Sequence, residues 1–184
     1  MAIRPIQLLG SPVLRAHCEP VQNVRSPAVR VVADDLQETL RNLVARHGFG
    51  RGLAASQIGA PIRILCLEAD APMFLINPEV VDIGTEDFFV WDDCFSVPNL
   101  RVRVLRAHHI RVRFQDLSGN TRELDAEGDL AELLQHEIEH LDGILIVDHP
   151  AGLDPFCFRE EWNKHYATLG AYGEPFEREV VATV

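Results

Sequence analysis

The stretch "LLQHEIEHLDGIL", residues 133–145, holds His136 and His140 four positions apart, with Glu137 directly after the first histidine. On an α-helix, side chains at i and i+4 lie on the same face, so the two imidazoles would lie side by side. The spacing predicts a helix over 129–141. Four apolar residues at helical spacing give it a packing face: Leu133, Leu134, Ile138 and Leu141.

These polar residues form the HExxH pattern of metal-dependent hydrolases. In that arrangement both imidazoles bind one metal ion, and the glutamate acts as a general base on water. A chance occurrence of the pattern on an ordinary amphipathic helix is the alternative. The helical context and the apolar packing face favour a metal site.

A metal site of this kind needs a third protein ligand. The candidates are Cys94 in a polar loop, His108 and His109 in a predicted strand, and Glu160 and Glu161 downstream of the helix. A thiolate is the strongest ligand among these for a borderline or soft metal. A half-buried structural cysteine is an equal alternative at position 94, so the residues alone leave the third ligand open.

A second motif, "GRGLAASQ" at residues 50–57, is rich in glycine and alanine. Its form GxGxxA suggests a dinucleotide-binding fingerprint, but such a fingerprint must follow a strand, and this one follows a predicted helix. The small residues suit a backbone that passes close to a ligand. Gln57 could then donate an amide hydrogen bond to a substrate carbonyl, with a solvated polar side chain as the alternative.

The composition predicts one globular domain over residues 1–184, with a loosely held tail at about 170–184. Apolar residues make up 47% of the chain and charged residues 24%. No apolar run approaches the roughly 20 residues that span a bilayer, and no signal-peptide pattern opens the chain. The net charge of −11 argues against direct nucleic-acid binding. We therefore expect a cytoplasmic protein that does not bind membranes.

Periodicity and turn residues predict a few helices and several strands. Ser26-Pro27 and Gly48 bound a helix whose apolar residues recur at helical spacing. This mixture within one domain indicates an α+β fold. Strands are expected near 62–68, 73–76 and 79–90, interrupted by "DDCFSVPNL", then two or three strands with a turn at Ser118-Gly119-Asn120, a short strand and turn at 143–152, and a short helix over 155–168.

With these stretches in view, the sequence resembles the peptide deformylases. That family carries the motifs GxGφAAxQ, EGCφS and QHEφDHφxG, where φ is apolar. This chain has "GRGLAASQ", "DDCFS" and "QHEIEHLDG" in the same order with matching separations. The resemblance implies mixed or antiparallel sheets packed around a central HExxH helix. It also implies a hydrolase that removes the N-terminal formyl group from formyl-methionyl peptides of newly made proteins and releases formate.

The resemblance also implies a set of metal ligands. Cys94 takes the place of the motif cysteine and would join His136 and His140 on the ion. The family's ion is typically Fe(II), and Zn, Ni or Co are also accepted. One thiolate and two imidazoles suit all of these ions, so the ligands do not select the metal.

Further motif positions imply catalytic and substrate-binding roles. Glu137 matches the catalytic glutamate, and Gln57 matches a glutamine that assists the reacting carbonyl together with the backbone N–H of Phe95. The implied partner is an N-formylated peptide near ribosomes. Substrate contacts are implied for Gly52, Val90, Arg101 and Leu133.

Two departures from the family pattern bear on function. Asp92-Asp93 replace Glu-Gly, so an implied ion pair with Arg106 would use a shorter side chain. If the backbone at position 93 requires positive φ, aspartate tolerates it better than most residues but less well than glycine. Arg51 and Glu132 bring charge near the family's methionine pocket, although an acid in the first helical turn also suits the helix dipole. Two alternatives follow: a related metal amidase for a different N-acyl substrate, or a metal-binding homologue without activity.

Overall fold

The computed structural model describes residues 2–68 and 72–169, so the predicted loose tail at 170–184 lies outside the described residues. These ranges contain three α-helices, which we number α1 (Pro27–His47), α2 (Asp129–Leu141) and α3 (Arg159–His165). The strands β1 to β8 are Gly52–Ala54, Ile64–Leu67, Met73–Ile83, Asp87–Cys94, Val97–Ala107, His109–Gln115, Thr121–Glu127 and Phe156–Phe158. Short 3-10 turns lie at Pro12–Arg15, Ala55–Ile58, Ile146–Asp148 and Ala167–Leu169.

The strands form two sheets. A five-stranded sheet has the order β1-β2-β3-β6-β7, and a three-stranded sheet has the order β4-β5-β8. Every pair of neighbouring strands in these sheets is antiparallel. The predicted α+β class is therefore confirmed, with antiparallel rather than mixed sheets.

Helix α2 lies between the sheets and contacts β1, β5 and β7. Its apolar face, which includes Leu134, Ile138 and Leu141, packs in one buried cluster with residues of the five-stranded sheet such as Leu65 and Val112. Burial of each such side chain contributes about 1.5–3 kcal/mol. This packing determines which face of α2 is turned away from the five-stranded sheet. The predicted central helix is confirmed.

Helix α1 begins and ends where the sequence predicts. The Ser26 hydroxyl accepts a hydrogen bond from the backbone N–H of Val29 at 3.3 Å, and Pro27 occupies the first helical position. Gly48 ends the helix in the left-handed conformation, at φ 75°. No helix in the described ranges is long and apolar enough to cross a bilayer.

Three predicted strand boundaries are wrong. The strand expected near 79–90 is divided at 84–86 into the end of β3 and the start of β4. Strand β3 runs without a break through Asn77-Pro78, because the chain accommodates Asn77 at φ 51° in an irregularity of the β3–β6 register. The stretch "DDCFSVPNL" does not interrupt the strands. Its ends belong to β4 and β5, which form a hairpin with Cys94 opposite Val97.

The region after α2 also differs from prediction. Instead of a strand at 143–152, the chain makes the 3-10 turn Ile146–Asp148. The helix expected over 155–168 is shorter, because residues Phe156–Phe158 first form β8 against β5. This pairing places α3 against β5, beside the third strand of the smaller sheet.

The N-terminal arm joins the segments that carry the three motifs. The backbone N–H of Gln7 donates to the carbonyl oxygen of Gln57 at 2.8 Å, and that of Leu9 donates to Ser96 at 2.7 Å. The backbone N–H of Cys18 donates to the carbonyl of Leu141, at the end of α2, at 2.8 Å. Each of these bonds satisfies a backbone group that would otherwise need water.

Candidate active site and metal centre

Helix α2 presents His136 and His140 toward the smaller sheet. The two rings lie edge to face, with centroids 4.9 Å apart, and both side chains are buried. This is the geometry expected for residues one helical turn apart. The helix therefore supplies two imidazoles that can bind a single ion.

Cys94 at the end of β4 completes the group. Its Sγ lies 3.2 Å from Nε2 of His140, and one donor atom from each of Cys94, His136 and His140 falls within 4.8 Å of the others. A register shift between Asp93 and Cys94 lets the strand turn this side chain inward. The structure thus brings together the three residues that the resemblance implies as ligands.

Asp92 orients one of the two imidazoles. Its Oδ2 lies 2.9 Å from Nδ1 of His136 and 3.0 Å from Nη2 of Arg106, whose Nη1 lies 2.6 Å from Oε1 of Glu139. Burial raises the pKa of Asp92, but His136 and Arg106 outweigh it and hold that pKa well below its ordinary value. A carboxylate on Nδ1 leaves Nε2 as the atom available to an ion. The implied Asp92–Arg106 pair forms in spite of the shorter side chain.

The donor set and its surroundings fit a divalent metal ion. One thiol and two imidazoles suit Fe, Zn, Ni or Co, and all three side chains are buried. The Oε2 atom of Glu137 is buried beside Cys94 and the two histidines, and it has no hydrogen-bond partner in the described part of the chain. A buried carboxylate oxygen without a protein partner is expected where a ligand or water completes the site.

Glu137 depends on a glycine for its position. A Cβ atom added to Gly52 would lie 2.5 Å from Oε1 of Glu137, so only glycine leaves room for this carboxylate against β1. Burial raises the pKa of Glu137 to about 7. A carboxylate of this kind, beside one thiol and two imidazoles, can exchange a proton near neutral pH.

The last residue of the motif GRGLAASQ, Gln57, packs beside the cysteine. Gln57 is buried, and its Nε2 lies 3.6 Å from Sγ of Cys94 and 3.2 Å from Oγ of Ser96. Its Oε1 accepts a hydrogen bond from the backbone N–H of Ala54 at 2.9 Å, which fixes the amide with its donor toward the centre. Gln57 is therefore not the solvated residue that was the alternative.

A cleft open to solvent leads to this centre. Arg51 closes one side of it, with Nη2 2.5 Å from Oε2 of Glu132 and Nη1 3.1 Å from the carbonyl oxygen of Asp129. Glu132 is thus a buried partner of Arg51 rather than only a charge at a helix end. The four implied substrate-binding residues and Phe95 all line the cleft: Gly52, Val90, Phe95, Arg101 and Leu133.

The other candidate ligands lie elsewhere. His109 is near Asp125, with Nε2 3.6 Å from Oδ1, and Glu160 and Glu161 bind Lys164 on α3. None of these candidate ligands lies in the group formed by Cys94, His136 and His140. Of the candidates for the third ligand, only Cys94 lies beside His136 and His140 in the described part of the chain.

Sequence reasoning missed the surroundings of Asp93. Its backbone is not in the positive-φ region, so the replacement of glycine introduces no such strain. Its carboxylate instead binds two guanidinium groups, Arg101 from β5 and Arg159 from α3. The register of β4 and β5 could have signalled the first pair, but no pattern in the sequence signals Arg159.

Comparisons with known proteins agree with this geometry. A family model described as polypeptide deformylase matches residues 3–155. A peptide deformylase of Mesorhizobium japonicum is 38% identical over 155 residues, which cover 81% of this chain and 85% of that protein. The peptide deformylase of Thermotoga maritima is similar in structure, with a TM-score of 0.75 and 31% identity, over 83% of this chain and 100% of that one.

A second solved structure adds a bound peptide. It is a Met-Ala-Ser-bound class I type b peptide deformylase from Acinetobacter baumannii, with a TM-score of 0.73 and 27% identity, over 80% of this chain and 98% of that one. The family model spans most of the residues that form the two sheets and α2, and the curated relative exceeds a third in identity. The chain belongs to the peptide deformylase family.

Proposed function

We propose that this enzyme removes the N-terminal formyl group from formyl-methionyl peptides of newly made proteins, through a centre built by Cys94, His136, His140 and Glu137. The observation that carries the proposal is the convergence of one thiol and two imidazoles beside a buried carboxylate, at the floor of an open cleft. The Met-Ala-Ser-bound relative supports a peptide as the ligand class.

The reaction hydrolyses the C–N bond of the formamide, so water adds to the carbon and a proton must reach the leaving amine. A divalent ion held by the three ligands would supply Lewis acidity for this chemistry. Glu137 accepts the proton of the attacking water at its carboxylate and returns it to the leaving nitrogen. The products are formate and a free amino terminus.

Other residues bind and orient the peptide. The Nε2 donor of Gln57 is directed toward the centre, where it can stabilise the oxygen of the formyl carbonyl together with the backbone N–H of Phe95. Val90 and Leu133 give the cleft apolar walls for a side chain. Arg101 also lines the cleft, where it can contact the peptide backbone.

Substitution of Glu137 by glutamine tests the role of the base. Because glutamine keeps the shape of the side chain but cannot accept a proton, we expect formate release from formyl-Met-Ala-Ser to fall by about 10²–10⁴-fold. Metal content, read by mass spectrometry on the same samples, should equal that of the wild type.

Glu139→Gln is the matched control, since Glu139 lies on the same helix but pairs with Arg106. It should keep most of the activity. A metal-loaded Glu137→Gln enzyme with near-normal turnover would exclude Glu137 as the base. An inactive wild type that holds its metal would favour a different N-acyl substrate or an inactive homologue.

We further propose that the ion in the cell is Fe(II), the ion typical of the family that the sequence resembles. Zn, Ni or Co could replace it, because a thiolate and two imidazoles accept each of these ions. The whole chain, 1–184, would form one domain of this kind in the cytoplasm, near ribosomes, where formylated peptides emerge. The net charge of −11 argues against direct binding to ribosomal RNA.

A further inference from the structure

Three charged side chains meet next to Cys94, the last residue of β4. Oδ2 of Asp93 lies 2.7 Å from Nη2 of Arg101, and its Oδ1 lies 2.6 Å from Nη2 of Arg159. They come from β4, β5 and α3, and their side chains are between 14% and 21% exposed. We call Asp93, Arg101 and Arg159 the paired-arginine cluster.

The cluster carries an excess of positive charge. Two guanidinium groups share one carboxylate, and the neighbouring Asp92 is bound by Arg106 and His136. The three side chains of the cluster thus sum to one positive charge, whereas on α3 the carboxylates of Glu160 and Glu161 share one cation, Lys164. The chain as a whole has a net charge of −11. Charges more than about 8 Å away are largely screened at physiological salt, so a carboxylate in direct contact with the two guanidinium groups interacts mainly with them.

Aromatic rings hold both guanidinium groups in place. The guanidinium carbon of Arg101 lies 3.8 Å from the ring centroid of Trp162, and that of Arg159 lies 4.2 Å from that of Phe49. Stacking keeps each planar group oriented and lowers the entropy lost when it forms a further hydrogen bond.

The cluster is also accessible from the site. Asp93 and Arg101 line the main cleft, and Arg159 lines an adjoining hollow that shares Phe49 and Phe95 with it. Because Asp93 directly precedes Cys94, the two Cα atoms are about 3.8 Å apart. An extended peptide advances about 3.3–3.6 Å per residue, so its second or third residue can reach the arginines.

We propose that the paired-arginine cluster is a subsite for a carboxylate carried by the peptide one or two residues beyond its formylated end. This inference rests on the proposed deformylation of peptides. The carboxylate can be an Asp or Glu side chain or the terminal carboxylate of a short peptide. Arg159 is then a specificity-determining residue, and Asp93 weakens the subsite by neutralising part of its charge.

Matched peptides test the proposal. We would compare kcat/KM for formyl-Met-Glu-Ala-amide and formyl-Met-Ala-Glu-amide with that for the corresponding Gln peptides, and formyl-Met-Ala-Ala as free acid with its amide. A partly exposed ion pair contributes up to about 1 kcal/mol, which corresponds to a preference of about fivefold for the acidic peptide at low salt. The preference should lie in KM and should shrink as salt is raised.

Two variants move the preference in opposite directions. Arg159→Gln removes one guanidinium and should abolish most of it, whereas Asp93→Asn frees both guanidinium groups and should increase it. The ratio of acidic to neutral peptide is taken within each preparation, so changes in metal content cancel. Arg113→Gln removes an equal charge from an exposed pair on β6 and should leave the ratio unchanged.

Binding of the unformylated products gives a readout that does not need turnover. Calorimetric affinities for Met-Ala-Glu-amide and Met-Ala-Gln-amide should differ in the same direction and respond to the same variants. Equal kcat/KM and equal affinity for the two peptides, or no binding of either, would overturn the subsite. Failure to release formate from any peptide, with the affinity difference intact, would instead overturn the proposed function.

Discussion

At the scale of single residues, the site is determined as much by missing atoms as by functional groups. Gly52 lacks the Cβ atom that would lie 2.5 Å from Oε1 of Glu137, and Gly50 lacks the one that would lie 2.5 Å from the ring of Phe95. Real Cβ atoms do not approach other heavy atoms so closely. Gly50 and Gly52 therefore leave the space that the Phe95 ring and the Glu137 carboxylate occupy.

Gly52→Ala should consequently damage activity without unfolding the chain. The added methyl group forces the Glu137 carboxylate to move, and a displacement of about 1 Å at a reacting group can cost about a hundredfold in rate. Formate release and a thermal melt on the same protein would measure the two effects. Gly84→Ala, whose Cβ would contact His109 away from the site, should keep its activity. Full activity in Gly52→Ala would mean that Glu137 tolerates another position.

At the scale of elements, the β6–β7 hairpin shows how one acid organises a turn. The Asp116 carboxylate accepts hydrogen bonds from the backbone N–H groups of Ser118 and Asn120, each at 2.9 Å, and from Nε of Arg122 at 3.0 Å. The backbone N–H of Asn120 has the largest effect on the pKa of Asp116 and lowers it. Burial raises this pKa, but together with the donors on Arg122, Asn120 and Ser118 the net result is a pKa of about 2, below the ordinary 3.8. The turn predicted at Ser118-Gly119-Asn120 forms around these bonds.

This lowered pKa predicts a pH-dependent contribution to stability. Because the folded state favours the ionised acid, the contribution is complete above pH 3.8 and is lost as the pH falls toward 2. The free energy of unfolding of Asp116→Asn should therefore lie below that of the wild type at neutral pH, and the gap should narrow in acid. Urea unfolding at several pH values measures it. A gap that is constant with pH would show that the charge is not the source.

At the scale of the whole molecule, the candidate metal ligands come from two separately built layers. Cys94 ends a strand of the three-stranded sheet, whereas His136 and His140 lie on the helix packed against the five-stranded sheet. An ion that binds all three would connect these layers only in the folded state. Its binding free energy then adds to the stability of the whole chain.

Removal of the metal should therefore lower the melting temperature. A ligand present at 100 times its Kd stabilises a fold by about 2.7 kcal/mol, which for a chain of this size corresponds to about 5–10 °C. Calorimetry before and after chelation measures the shift. Cys94→Ser should lose most of the metal-dependent shift, and Cys157→Ser, at a partly exposed cysteine, should keep it. A melting temperature unaffected by chelation in a metal-loaded protein would contradict this connecting role.

Much of the fold and part of the site could be predicted from the sequence because those parts depend on local patterns. Helix α1, with its serine cap and terminal glycine, and the helix bearing His136 follow from spacing and end residues alone. Cys94 needed the resemblance, since no spacing rule connects a strand end with a distant helix. The short strand β8 exists only through its pairing with β5, and Arg159 reaches Asp93 across 66 residues. Long-range contacts of this kind leave no periodic signal.

The arm that contacts Gln57 and Ser96 has a consequence for the order in which the protein is made. A ribosome releases the arm first, the glutamine and cysteine later, and His140 last, so the earliest residues must wait for partners that emerge long afterwards. Contacts distant in sequence form slowly. The group formed by Gln57, Cys94 and His140 is therefore incomplete through most of the synthesis of the chain, until the helix that follows β7 has emerged.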